Sequence, residues 1–125
     1  MQNQNSKLKI KLKDRAYNYS IKIIEFLDTL PKDQSAQVIA NQLRRPATSI
    51  GANIVEAQAS SSRIDFANFL SHSLKSANES LYWLGLVKDA KQISNPHLDY
   101  LLNETNELAN ILGSSILTIK GKNKF

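Results

Sequence analysis

Apolar residues recur three and four positions apart from Leu12 to Ile119 with little to interrupt them, a spacing that places them on one face of a helix and not of a strand. Only three prolines and four glycines punctuate the chain, so the helices it can form are few and long. Four can be drawn. The first, roughly Lys11 to Thr29, aligns Leu12, Ala16, Tyr19, Ile23, Phe26, Leu27 and Leu30 and stops at Pro31. The second opens at Asp33-Gln34-Ser35, where Asp33 or Ser35 can cap free amides, and runs to about Gln58. Its stripe is Ala36, Ile39, Leu43, Ala47, Ile50, Ile54 and Ala57, and Pro46, which removes the bond to the Gln42 carbonyl, predicts a kink or a restart. The third, about Arg63 to Lys91, buries Phe66, Phe69, Leu70, Ala77, Leu81 and Leu84. Asn95-Pro96 supplies a cap followed by proline at the first helical position, so the fourth runs from Pro96 to about Ile119 on Leu98, Leu101, Leu102, Leu108, Ala109, Leu112 and Ile116.

Helices of about 20 residues are about 30 Å long, and the connections between these four are short. An all-α, antiparallel up-down-up-down four-helix bundle is the economical arrangement, with residues 1–125 forming one domain and 1–10 and 121–125 flexible basic ends. KLKIKLK, Lys7 to Lys13, alternates with the period of a strand but is too short and isolated to pair, and reads as an extended or frayed lead-in.

Much chemistry is excluded by residue type. With no cysteine there is no disulfide, zinc thiolate or thiol nucleophile, and with no apolar leader segment the expected compartment is the cytoplasm. No apolar run approaches the roughly 20 residues of a membrane span, so no membrane partner is expected. A carboxylate di-metal centre needs Glu-x-x-His on two helices, whereas Glu56, Glu79 and Glu104 are followed three residues on by Ala59, Tyr82 and Glu107. His72 and His97 fall near opposite ends of a bundle and suit no shared metal. Phosphate-binding glycine loops and nucleophile elbows are absent from the sequence. The reading is of a non-enzyme without metal or cofactor.

Charge is unevenly spread. Residues 1–22 carry six cations against Asp14, residues 113–125 add Lys120, Lys122 and Lys124 with no acid, and the stretch between is net acidic. In an antiparallel bundle both chain ends and the second connection share one pole, which gathers Lys7, Lys9, Lys11, Lys13, Arg15, Arg63, Lys120, Lys122 and Lys124. Such a cluster neutralises phosphates without reading bases, and RNA or another nucleic acid is the expected partner.

Two sets of residues are left over once the core is drawn. On the first helix Tyr17, Ile21 and Ile24 form a second apolar stripe, and on the third Trp83 and Leu86 lie about 100° and about 160° off the core line. Apolar stripes on two helices favour a subunit interface. On the second helix Gln42, Arg45, Ser49, Asn53 and Glu56 share a polar arc away from Leu43 and Ile54.

The segments LRRPATSIGANIVEA (Leu43 to Ala57), SSRIDFANFL (Ser61 to Leu70) and LKSANESLYWLGL (Leu74 to Leu86) resemble the four-helix bundle proteins associated with intervening sequences in bacterial large-subunit ribosomal RNA genes. The likeness is strong from about Tyr17 to Leu86, and its most specific residues are Arg44, Arg45, Ser49 to Ile54, Glu56, Arg63, Phe66, Phe69, Leu70, Ala77 and Glu79. Gly51 stands where the family often has proline, and Gln58 where it has glycine. The resemblance implies a homopentamer without catalytic activity, in which Arg44, Arg45, Ser49, Asn53, Glu56 and Glu79 form a polar network between helices or subunits. The accessory protein of diversity-generating retroelements is similar in fold and partners a reverse transcriptase, so the competing expectation is a protein-interaction subunit of that kind.

Overall fold

The computed structural model of the protein describes residues 11–122, the side chain of Lys122 excepted. Its regular structure is entirely helical: α1 Leu12–Leu27, α2 Gln34–Ala59, α3 Arg63–Ala90 and α4 Pro96–Lys122, with no strand among the described residues. The helices pack as a bundle in which α1 touches α2 and α4, and α3 lies against α2 and α4. Lys7, Lys9 and Lys124, and the flexible character expected of residues 1–10, lie outside the described residues. At the other end α4 continues past Ile119 and takes in Gly121 and Lys122, where a flexible tail was expected.

Local chemistry explains most of the boundaries. Asn95 Oδ1 accepts the Leu98 amide at 2.8 Å, with Pro96 at the first helical position needing no donor. Ser62 caps α3 by accepting the Asp65 amide at 3.1 Å. At the start of α2 the expectation fails. Asp33 stands at the cap position but makes no bond to the free amides; its carboxylate is taken by the Lys91 ammonium at the far end of α3, and the Ser35 hydroxyl donates to it as well. That pairing holds the Asp33 carboxyl below its ordinary range, chiefly through the bond from Lys91. Pro46 is buried within α2, which remains helical on both sides of it.

The core follows the predicted stripes of α1 and α2: Ala16, Tyr19, Ile23 and Phe26 on one, and Leu43, Ala47, Ile50 and Ile54 on the other, are inaccessible or nearly so. Helix α3 differs. Its buried line is Leu70, Ser73, Ala77, Ser80, Leu84 and Val87, an alternation of three and four in which small residues occupy the middle. Phe66, Phe69 and Leu81, expected in the core, are half-buried beside that line. Small side chains let α3 come close to α2, close enough for the Ser73 hydroxyl to donate to the Ile50 carbonyl at 2.8 Å. At the neighbouring crossing a Cβ on Gly51 would stand 3.4 Å from that of Ala16, so the glycine sits where α1 and α2 approach closely.

Candidate functional site

The cations expected at one pole do not all stand free. Arg15 folds onto α4, where its Nε and Nη2 donate to the two oxygens of Glu104 at 2.7 and 2.9 Å, and Nη2 also reaches Glu107 at 2.8 Å. The forked guanidinium matches the carboxylate, and these bonds hold its proton more firmly than usual. Arg15 therefore ties α1 to α4, and would have to leave two carboxylates to meet a phosphate. Lys11, Lys13 and Lys120 are exposed, as is Arg63 at the first position of α3. The backbone of Lys122 ends α4, and Lys7, Lys9 and Lys124 are not among the described residues.

Beside Lys11 and Lys120 in the chain, residues of all four helices line a cavity of about 380 Å³. Every helix contributes an end to it: Leu12 from α1, Ile54, Ala57 and Gln58 from α2, Phe66 and Leu70 from α3, and Ser114, Ser115, Thr118 and Ile119 from α4. Lys11 and Lys120 are the chain neighbours of two lining residues. Sequence reasoning put Phe66 and Leu70 in the core and passed over Gln58. The available signal was the break at Ser60 to Ser62, which forces the residues on either side of it to one end of the bundle.

The residues of the expected polar network separate. Arg45, Ser49 and Glu79 line one groove of about 420 Å³ between α2 and α3, with Asn41, Gln42 and Ser76. Glu79 Oε2 also accepts the Trp83 indole N–H at 3.1 Å. Asn53 instead donates to the Ser49 carbonyl of its own helix at 2.9 Å, and Arg44 and Glu56 are exposed outside the groove lining.

Of the expected interface residues, Tyr17, Ile21 and Ile24 are 67%, 40% and 52% exposed. Tyr17 and Ile24 line a largely apolar groove of about 590 Å³ with Gly51, Ala52 and Val55 of α2. Trp83 and Leu86 are half-buried against the core and, with Val38 and Ile39, line a second groove of about 440 Å³ between α2 and α3. Val38 and Val55, both about half exposed, complete these surfaces and are not among the expected interface residues, since neither lies on the core stripe of α2.

Tyrosine and histidine side chains make further contacts in the bundle. Tyr19 is fully inaccessible, its hydroxyl 2.6 Å from Thr105 Oγ1. Burial pushes its phenol up to about 12, against the opposing pull of the Thr105 and Ser80 hydroxyls. Tyr100 on the same side is raised by partial burial and then by the Glu104 carboxylate. His97 Nε2 donates to the Lys22 carbonyl at 3.1 Å and its ring meets Phe26 edge-on at 5.3 Å, while His72 lies edge-on to Phe69. No group of three or more potential metal ligands occurs among the described residues, and no helix there is long and apolar enough to cross a membrane.

Fold and site together define an all-α four-helix bundle with a cavity lined by residues near the helix ends, two of which, Leu12 and Ile119, adjoin exposed lysines. Residues 8–114 match the profile of the family described as 23S rRNA-intervening sequence protein, and the chain belongs to that family. Among solved structures it is similar to a protein of unknown function from the S23 ribosomal protein family of Bacteroides thetaiotaomicron, at 36% identity and a TM-score of 0.78 over 85% of this chain and 98% of that one. No curated protein matches it.

Proposed function

We propose that the protein is a non-enzymatic, homo-oligomeric, antiparallel up-down-up-down bundle that binds RNA or a similar polyanion through its lysine-rich pole. The observation that carries this reading is the cavity that receives Leu12, Gln58, Phe66 and Ile119 together, because it brings Lys11 and Lys120, from distant parts of the sequence, to one end. Antiparallel order is supported by two further contacts, Asp33 at the start of α2 with Lys91 after α3, and His97 at the start of α4 with Lys22 in α1. The family's association with ribosomal RNA favours RNA among polyanions. Self-association is supported by the exposure of Tyr17, Ile21 and Ile24, with Trp83 and Leu86 lining a second groove. Lys7, Lys9, Lys11, Lys13, Arg63, Lys120, Lys122 and Lys124 are the proposed phosphate contacts; Arg15 is reassigned to the clip between α1 and α4.

The test is a titration of labelled RNA against salt. For a single strand the log-log slope is about −0.7 per phosphate neutralised, so replacing Lys11, Lys13, Lys120 and Lys122 by alanine should shallow it by about 3 and weaken binding at low salt. Binding that ignores both salt and these substitutions overturns the reading. It would favour a protein partner such as a reverse transcriptase, for which the apolar groove of Tyr17, Ile24 and Val55 is the specific supporting observation.

A further inference from the structure

Phosphate contacts alone give the cavity at the pole no work. Its floor is apolar, made by Leu12, Ile54, Leu70 and Ile119, and half-buried Phe66 adds an aromatic ring. Its rim is polar. Gln58, Ser114 and Thr118 are exposed there, and among the described residues their side chains have no hydrogen-bond partner. An apolar hollow with a few polar groups at its edge suits a flat, heteroatom-bearing ring better than an aliphatic chain. The surrounding charge selects what brings that ring: Lys11 adjoins Leu12 and Lys120 adjoins Ile119, so a phosphate backbone held by these lysines runs past the opening. Bases of a duplex are stacked and paired and cannot turn into it, whereas those of a single strand can.

We propose that the cavity between Leu12, Gln58, Phe66 and Ile119 receives one unpaired base of a single-stranded nucleic acid. The base stacks on Phe66, and the Gln58 amide, which presents a donor and an acceptor side by side, bonds its edge. The serine and threonine hydroxyls at the rim tolerate either polarity, so this is a preference for single strands over duplexes with a bias toward bases whose edge matches an amide. The proposal rests on the polyanion-binding reading and adds to it a site that lysines do not provide.

Fluorescence anisotropy with a labelled oligoadenylate and with a duplex of equal length, at one fixed salt concentration, separates the two ideas. Phe66→Leu should weaken the single strand about tenfold, the worth of one stacked base, and leave both duplex affinity and the salt slope unchanged. Gln58→Ala should weaken it severalfold. A 2-aminopurine in the strand should be quenched by the native protein and not by Phe66→Leu. Thr118→Trp, at an exposed position on the rim, blocks the opening without touching the core and should reproduce the selective loss. Should Phe66→Leu and Thr118→Trp keep native helicity and bind the single strand as the native protein does, while the lysine variant loses it, the cavity is not a base site and the polyanion reading stands. Absence of binding to any nucleic acid at low salt removes both.

Discussion

At the scale of single residues the least expected feature is the buried hydroxyl pair. Thr105 lies four residues after Leu101 and three before Leu108, at a core position of α4 by spacing, although its hydroxyl argues against burial. Its hydroxyl donates to the Leu101 carbonyl, which leaves its oxygen to accept from Tyr19. The same holds for Ser73 and Ser80: spacing marks the position, while residue type argues against it. Tyr19→Phe takes the donor from a fully buried acceptor and should cost about 1–2 kcal/mol, read as a shift in urea midpoint with unchanged slope. Tyr19→Phe with Thr105→Val removes both partners and should cost less than the single change. The phenol adds a pH signature. With the folded value near 12 and the ordinary one near 10, the unfolded chain releases this proton first. The stability due to the neutral phenol is therefore whole below about pH 10 and declines as pH rises toward 12. Denaturation midpoints at about pH 9 and about pH 11 should differ less for Tyr19→Phe than for the native protein.

At the scale of elements, four helices with ends close to those observed were legible because their signals are local. Pro31 and Asn95-Pro96 act on the backbone at their own positions. The turn after α3 carries no such signal, since Gln92 is held at a φ of 55°, a left-handed conformation that glutamine gives no reason to expect. It lies just past Lys91, whose ammonium pairs with Asp33 on α2, in the turn that returns the chain to the start of α4 at Pro96. Glycine adopts this conformation at no steric cost and is the usual residue just beyond a helix end. Gln92→Gly should raise stability by about 0.5–1 kcal/mol, seen as a higher melting temperature with the helical signal unchanged. A lower melting temperature would mean that the glutamine side chain contributes more than its backbone costs.

At the scale of the whole molecule, segregation of charge to the chain ends could be read from composition, whereas the withdrawal of Arg15 could not, because its partner Glu104 lies 89 residues away. The same limit applies to surfaces. Sequence periodicity identified apolar positions off the core, but only packing shows that they belong to two grooves, one on Tyr17, Ile24 and Val55 and the other on Val38, Trp83 and Leu86, with no residue in common. Two separate surfaces constrain how the proposed oligomer can close. A two-fold dimer presses one patch against itself and leaves the other exposed, while head-to-tail contact sets the first patch of each subunit on the second patch of the next and buries both in a ring. Ile24→Asp disables the first surface alone and Val38→Asp the second, and both sites are exposed enough to accept the charge in a folded subunit. In a head-to-tail ring every junction needs one of each surface, so either variant by itself should sediment as a monomer. Mixed in equal amounts, the two should form a heterodimer and nothing larger, through the single junction that retains both intact surfaces. A two-fold dimer gives a different pattern in sedimentation velocity, with the variant in the self-paired patch a monomer, the other variant still a homodimer, and the mixture yielding no new species.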